Sequence, residues 1–382
     1  MTTQTKMPPM KSGRFTDGTR VQSMTVVFIS PLFFGDSSGA AIYYRLLAKY
    51  VSDKGCIVSV ISDKEMGDFD GQYYDLFPKR CGQNKKFPRD VYVYGVQNLK
   101  YLLIPKILHR EQPNALLVHS SFYNHPGIFA NAMNKVRNRF PELKMVLDVR
   151  DRMMSPEQVK SLAIYDKIIA CSENVLADLQ SKGLSKSKII HIPVLQEKLS
   201  VDLSGLPKLL AGLGIRQPYI YYAGLVKEAK GVDLLLDTYV NHIRRRNPEL
   251  SLVISGLMKT RNSRIISQLK SEGVRYIGNR CRSEVLQLIA GSSACVHLSP
   301  NEGLPRFCLE VLALRKPIVL PPNIPEFERY CADCVVPSSE PAEIAQKILT
   351  IYTDAKAPIY PIEMHFPESV LSKYLKVLGL AD

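Results

Sequence analysis

Two glutamates, Glu302 and Glu310, stand eight positions apart across a loop and the helix predicted after it. At a rise of about 1.5 Å per residue, they are separated by at most about 12 Å. This exceeds the roughly 5 to 9.5 Å between the paired carboxylates of glycoside hydrolases. It suits the two ends of one extended ligand instead. Backbone N–H groups that open the helix between them favour an anion, so hydroxyls at both ends with phosphate between them would fit, as in a nucleotide sugar.

The elements around this pair follow from local composition. Residues 294–298 form a short apolar run with β-branched content, which predicts a buried strand. Residues 299–301, Ser-Pro-Asn, end it with turn chemistry. Gly303 and Pro305 mark the change from loop to helix, since proline suits the first helical turn. Residues 318–320 start the next strand, so the pair is placed between two strands of one sheet.

The stretch Glu302-GLPRFCL-Glu310, followed by VLALRKPIV, resembles the E-x7-E signature of retaining glycosyltransferase family four, within the glycosyl transferases group 1. The resemblance implies the GT-B fold, an α/β architecture of two Rossmann-like, doubly wound domains that face a central cleft. The alternation of strands and helices along both halves favours the same α/β class. The other interpretation, that Glu302 is a plain loop carboxylate and Glu310 lies on a solvated helix face, is disfavoured because Leu309 and Val311 flank Glu310.

A second motif lies at the start of the second half. Gly224-LVKEA-Lys230-Gly231 has the spacing of the family's diphosphate-binding segment. The family places an arginine directly after the first glycine, and here that position holds Leu225. Two phosphates need matching cations, so the second cation would be Lys227 or Arg306.

The resemblance also implies the rest of the donor site. His119 ends the predicted strand 115–119 and would approach the donor sugar, whereas the alternatives are a hydrogen-bonded core histidine or a role for the nearby His125. Gly39 matches a glycine beside the donor phosphates; the alternative is that Gly35 and Gly39 only form a turn. Gly303 and Leu304 complete the predicted donor contacts, and Glu302, His119 and Lys230 are the predicted catalytic residues.

Three other features are interpreted without a bound metal ion. Asp68 and Asp70 form a D-x-D in a polar stretch, which is read as a solvated loop. Cys331 and Cys334 lack the second pair that a zinc site needs. Arg150 and Asp151 follow the predicted strand 145–149 and either pair with each other or serve the acceptor. No metal and no cofactor are expected.

The predicted organisation has five parts. Residues 1–23 form a disordered leader, 24–204 an acceptor-side Rossmann-like domain and 205–218 a linker. Residues 219–350 form a donor-binding Rossmann-like domain. Residues 351–382 contain a helix expected to return to the first domain, as the resemblance implies.

The composition limits the partners. The chain has 382 residues, 46% of them hydrophobic and 23% charged, which is typical of a globular protein. No apolar run approaches the length of about 18 residues that a membrane-spanning helix needs. The net charge of +14 fits anionic substrates and an anionic membrane surface. No nucleic-acid motif is present, and no signal peptide is visible. We therefore expect a cytoplasmic protein, peripheral on the inner face of the membrane.

The function predicted from these features is a retaining, metal-independent transfer of a hexose-type sugar. The donor would be UDP- or GDP-linked, and the acceptor a glycan or lipid-linked hydroxyl in polysaccharide or lipopolysaccharide biosynthesis. Leu225 supports one alternative, a catalytically silent GT-B subunit that binds a glycan or a partner enzyme. Another alternative is a sugar-nucleotide epimerase of the same fold.

Overall fold

The computed structural model describes residues 24–30, 39–62, 72–75, 101, 103–124, 126–152 and 155–381. Within them the chain builds two parallel β-sheets covered by helices. The predicted leader and the segment that contains Asp68 and Asp70 lie outside the described residues.

The first sheet has seven strands in the order β3-β2-β1-β4-β5-β6-β7, and all its pairings are parallel. Strands β1, β2, β4, β5 and β6 are short, apolar and largely buried on both faces, as expected for a sheet with helices on each side. Their bounds are β1 Thr25–Ile29, β2 Ile57–Ser62, β3 Gln72–Asp75, β4 Ala115–His119, β5 Lys144–Val149, β6 Lys167–Ala170 and β7 Ile189–His191. The accompanying helices are α1 Gly39–Asp53, α2 Ile104–Glu111, α3 Pro126–Arg139, α4 Pro156–Lys160 and α5 Glu173–Ser181.

The second sheet has five parallel strands in the order β10-β9-β8-β11-β12. They are β8 Tyr219–Ala223, β9 Ser251–Ser255, β10 Val274–Tyr276, β11 Ala294–Val296 and β12 Ile318–Val319. The helices that follow β7 along the chain are α6 Leu206–Leu213, α7 Val232–Thr238, α8 Ser263–Gln268, α9 Arg282–Gly291, α10 Arg306–Ala313, α11 Pro325–Tyr330, α12 Pro341–Asp354 and α13 Pro367–Leu378. In each sheet the strand order reverses beside the first strand, which is where doubly wound sheets bind ligands.

The segment between the sheets is partly helical. Residues 205–218, predicted as a linker, contain α6, whose Leu206 and Leu210 are buried. A Cβ added to Gly291 in α9 would lie 2.7 Å from the side chain of Leu206, so α6 packs closely on the second domain. Its apolar face explains why these residues are folded onto that domain.

The last helix, α13, packs against α1, β4 and β5 of the first sheet. Tyr374 is fully buried there, and its hydroxyl is hydrogen-bonded to the hydroxyl of Tyr43 in α1. Before this helix, the backbone of His365 accepts a hydrogen bond from Gln196 N–H at 2.8 Å. The chain thus leaves the first domain, builds the second and returns.

Replacing Tyr374 by alanine tests whether this return holds the first domain. We expect the free energy of unfolding to fall by about 3–5 kcal/mol, since a buried aromatic ring is lost. Tyr374→Phe keeps the ring and should cost about 1–3 kcal/mol, because the Tyr43 hydroxyl loses its buried partner. Urea unfolding measures both variants. A Tyr374→Ala protein with the midpoint of the parent would show that α13 contributes nothing to stability.

Candidate active site

The carboxyl ends of both sheets carry polar side chains. In the first sheet β4 ends at His119, and β5 is followed by Arg150. In the second, β8 is followed by Gly224, and β11 by His297 and the loop that leads to α10. The strands within each sheet are parallel, so the polar side chains at their carboxyl ends gather at one edge of that sheet. Ligands bind at this edge in doubly wound folds.

The two edges meet at Gly303. A Cβ at this position would lie 2.5 Å from the backbone oxygen of Arg150 and 3.2 Å from Cys171 Sγ, so only glycine fits. Asn174 of α5 strengthens the junction by donating hydrogen bonds to the carbonyls of Glu302 at 3.4 Å and Asn323 at 2.6 Å. The loop that carries Glu302 is therefore held directly on the first domain.

Glu302 lies in a buried ion cluster. Its side chain is only 10% exposed, and Oε1 lies 2.5 Å from Lys230 Nζ and 3.5 Å from His297 Nε2. Burial alone would raise the pKa of this carboxyl, but His297 and Lys230 outweigh burial and lower the pKa to about 2. Glu302 is thus a permanent negative charge at neutral pH.

Lys230 owes its position to a tight turn. The single 3₁₀ turn Glu228–Lys230 is followed by Gly231 at φ +67°, and α7 starts directly after it. A Cβ on Gly231 would lie 2.4 Å from the backbone oxygen of Leu298, so glycine lets this turn approach the loop after β11. The structure brings Lys230 and Glu302 together as a pair. Leu225, at the position where the resemblance expects arginine, is exposed.

His297 was not predicted as a site residue. It is buried beside Glu302, its ring stacks on Tyr222 with centroids 6.0 Å apart, and neither ring nitrogen has a hydrogen-bond partner among the described residues. The predicted strand 294–298 places His297 inside the strand, whereas the observed β11 ends at Val296 and leaves His297 directly after it, at the ligand-binding edge.

His119 is buried at the end of β4. Its Nδ1 accepts a hydrogen bond from Ser121 N–H at 2.9 Å, so the proton of the neutral ring lies on Nε2. Nε2 is buried and finds no partner in the described part of the chain. Burial lowers the pKa of His119 to about 3, and the charge of Arg150 adds to this shift. His119 therefore offers a neutral N–H donor; His125, the other histidine considered, lies outside the described residues.

Arg150 does not pair with Asp151. Its Nη1 lies 3.6 Å from Asp148 Oδ1, and its guanidinium carbon lies 3.6 Å from the centre of the Tyr43 ring. Asp148 is fully buried and accepts a hydrogen bond from Tyr44 at 2.8 Å. The alternative of an Arg150–Asp151 pair is therefore wrong, because the buried Asp148, two residues before Arg150, pairs with the arginine instead.

Glu310 is buried, so the interpretation of a solvated helix face is wrong. Its Oε1 lies 3.2 Å from Arg282 Nε and 3.4 Å from Arg306 Nε. Arg306 was a predicted site residue, whereas Arg282, the first residue of α9, was not. An arginine in a polar run between a strand and a helix gives no sequence signal of this contact.

The remaining predicted residues lie around the same edges. Leu304 is buried beside Gly303. Gly39 is the first residue of α1, and the loop before it, which includes Gly35, lies outside the described residues. Gly224 N–H donates to the backbone oxygen of Ser255 at 3.0 Å, which fixes the turn after β8.

Residues 217–354 match the family model of the glycosyl transferases group 1. The sequence matches no curated protein. Similar solved structures include sucrose-phosphate synthase (tll1590) from Thermosynechococcus elongatus, with 15% identity, a TM-score of 0.72 and coverage of 93% of this chain and 98% of that chain. A glycosyltransferase from Rickettsia africae ESF-5 has 16% identity, a TM-score of 0.70 and coverage of 94% and 98%.

A third similar structure is Anabaena Alr3699/HepE in complex with UDP and glucose, with 15% identity, a TM-score of 0.68 and coverage of 93% of this chain and 99% of that chain. These similarities confirm the predicted α/β fold as GT-B. The predicted resemblance to the glycosyl transferases group 1 is confirmed for residues 217–354.

Gly303→Ala tests the junction between the domains. The added Cβ would meet a backbone oxygen, so we expect a loss of about 1–3 kcal/mol in the free energy of unfolding. Gly127→Ala is the matched control, because a Cβ there has no heavy atom within 4 Å. Thermal unfolding compares the two. Equal midpoints for both variants would show that the close approach of Gly303 to Arg150 is absent in solution.

The pH dependence of stability tests the ion cluster. The pKa of Glu302 is about 2 in the folded chain and about 4.3 when unfolded. The ionised carboxylate therefore stabilises the fold above about pH 4.3, and this contribution is lost as the pH falls towards 2. The stability difference between the parent and Glu302→Gln should shrink over this window. A difference that stays constant from neutral to acidic pH would contradict the assignment.

Proposed function

We propose that this protein is a retaining glycosyltransferase that moves a hexose-type sugar from a nucleoside-diphosphate donor to a hydroxyl of a glycan or lipid-linked acceptor. The observation that carries the proposal is the buried Glu302–Lys230 pair, 2.5 Å apart, at the start of α10 in the domain that matches the glycosyl transferases group 1. The two members of this ion pair suit the two halves of a nucleotide sugar. The Glu302 carboxylate can accept hydrogen bonds from sugar hydroxyls, and the Lys230 ammonium can bind phosphate.

The donor fits across α10. Helix α10 has no side-chain cap at its start, so the N–H groups of its first turn are open to an anion. The diphosphate would lie there, with Lys230 on one side and Arg306 on the other. The sugar would contact Glu302 and His119, and the ribose would lie towards Glu310. Because Anabaena Alr3699/HepE is solved with UDP-glucose, that donor is the first to test.

The residues suit charge stabilisation better than proton transfer. The bond from the sugar C1 to the phosphate oxygen breaks with its electron pair on the diphosphate, and a bond from C1 to the acceptor oxygen forms. Glu302, with a pKa of about 2, stays ionised and stabilises the positive charge that develops on the sugar. His119, with a pKa of about 3, donates its Nε2–H to a sugar hydroxyl. Neither accepts the acceptor's proton, so the departing diphosphate takes it.

Metal independence is part of the proposal, since side-chain cations and helix N–H groups can neutralise the leaving group. The acceptor is proposed from charge. The net charge of +14 fits an anionic membrane surface, and a lipid-linked or surface glycan would be presented there. The proposed setting is polysaccharide or lipopolysaccharide biosynthesis on the inner face of the cytoplasmic membrane. Among the described residues no helix has the length and apolar character of a membrane span.

A thermal-shift panel with UDP-, GDP-, ADP- and dTDP-glucose tests donor binding. A ligand at 100 times its dissociation constant adds about 2.7 kcal/mol of stability. We expect one nucleotide series to shift the parent and Lys230→Met to lose most of this shift. The exposed Lys259 provides the control variant Lys259→Met, which should respond as the parent does.

If no nucleotide sugar shifts the parent, the donor-binding proposal fails. The silent GT-B subunit would then be favoured, with the exposed Leu225 as the structural reason. Interconversion of sugar isomers without an acceptor would favour the epimerase instead.

A further inference from the structure

Arg306 is a buried guanidinium with unused hydrogen-bond donors. Its side chain is 11% exposed, and it makes one hydrogen bond, from Nη1 to the backbone oxygen of Leu195 at 3.4 Å. Nε and Nη2 are buried without a hydrogen-bond partner. No other arginine in the described residues has two guanidinium nitrogens in this condition. Buried donors without acceptors are costly, so the arrangement indicates a missing acceptor.

Arg282 stands beside it in a similar condition. Both arginines contact the same oxygen, Oε1 of Glu310, so their guanidinium groups are neighbours. Arg282 Nη1 donates to Glu197 Oε2 at 2.8 Å, while its Nη2 is buried without a partner. Burial lowers the pKa of Arg306, Glu310 opposes this shift, and Arg282 adds to it. Glu310 thus orients two cations, and the Nη2 nitrogens of both arginines are left without a partner among the described residues.

Lys230 cannot neutralise a diphosphate alone. Its ammonium is 2.5 Å from Glu302, so the two side chains together carry no net charge. Leu225 adds no cation on that side of the cleft, and the positive charge of Lys227, the other predicted candidate, acts on the carboxylate of Asp151. The chemistry that matches several guanidinium N–H groups is a group with several charged oxygens, and arginine binds phosphate with two parallel hydrogen bonds.

We propose that Arg306 and Arg282, both held on Oε1 of Glu310, form a subsite that binds a phosphate group of the nucleoside-diphosphate donor. This rests on the proposed function and adds the residues that supply the missing positive charge. Glu310 then acts as a positioning residue for the two arginines. Position 306 is the first residue of α10, so the subsite joins the open N–H groups of that helix.

Binding measurements with matched nucleotides and nucleosides test this subsite. UDP is compared with uridine, and GDP with guanosine, by isothermal titration calorimetry on the parent, Arg306→Met and Arg306→Lys. Arg264→Met is the matched control, since Arg264 is a surface arginine, 68% exposed, that pairs with Asp237. We expect Arg306→Met to weaken binding of the diphosphate by about 10-fold to 100-fold. The affinity of Arg306→Met for the nucleoside should equal that of the parent, and Arg264→Met should bind every ligand as the parent does. The affinity of Arg306→Lys for the diphosphate should lie between those of the parent and Arg306→Met.

The stability of the unliganded variants gives a second readout. Glu310 keeps Arg282 when Arg306 is replaced, and methionine fills a similar volume without unpaired donors. The unfolding midpoint of unliganded Arg306→Met should therefore equal or exceed that of the parent. A lowered midpoint together with unchanged affinity for the diphosphate would show a purely structural arginine and overturn the subsite.

The outcomes separate the two proposals. If the parent binds no diphosphate, and no nucleotide sugar of the thermal-shift panel shifts it either, the proposed function fails and the subsite falls with it. If the parent binds one diphosphate and Arg306→Met binds it equally well, the function stands and the subsite is overturned. Equal losses for the diphosphate and its nucleoside would also overturn it, because the contact would then not be to phosphate.

Discussion

The site depends on the contact between Gly303 and the backbone of Arg150. The loop after β11 belongs to the second domain, yet it lies so close to the end of β5 that a Cβ would not fit. This contact carries Glu302 to the edge of the first sheet, where His119 ends β4. Gly231 makes a similar close approach to Leu298 and brings Lys230 to the same loop. Glycines at two junctions thus assemble charges from three segments of the chain.

The same cleft holds ionisable groups in opposite environments. Glu302 is buried but paired with Lys230 and His297, so its charged form is favoured. His119 is buried beside the positive Arg150 and has no acid partner among the residues that the structure describes, so its neutral form is favoured. Glu310 is buried between two arginines. Glu302 and His119 therefore each keep one charge state near neutral pH, which suits the proposed stabilisation of positive charge on the donor sugar.

The sequence predicts the elements better than the contacts. The strand at residues 115–119 is predicted with the observed bounds, because its short apolar run ends at a clear polar signal. The loop–helix pair of glutamates is found from its spacing together with the resemblance to the E-x7-E signature. Arg282 and the Arg150–Asp148 pair are not, because they depend on how distant segments pack. Helix α7 continues directly into a π-helical turn at Tyr239–Ile243, which hydrophobic periodicity in the sequence does not reveal.

The most direct test of the account is whether the protein releases a nucleoside diphosphate from a nucleotide sugar. The parent and Glu302→Gln would be incubated with UDP-, GDP-, ADP- and dTDP-glucose, with and without membrane lipid extract as the acceptor source. We expect the parent to release one diphosphate, faster with acceptor, and Glu302→Gln to release it at least about 100-fold more slowly, since a charge that stabilises the transition state is lost. Equal release by the parent and Glu302→Gln, or none by the parent, would contradict the account.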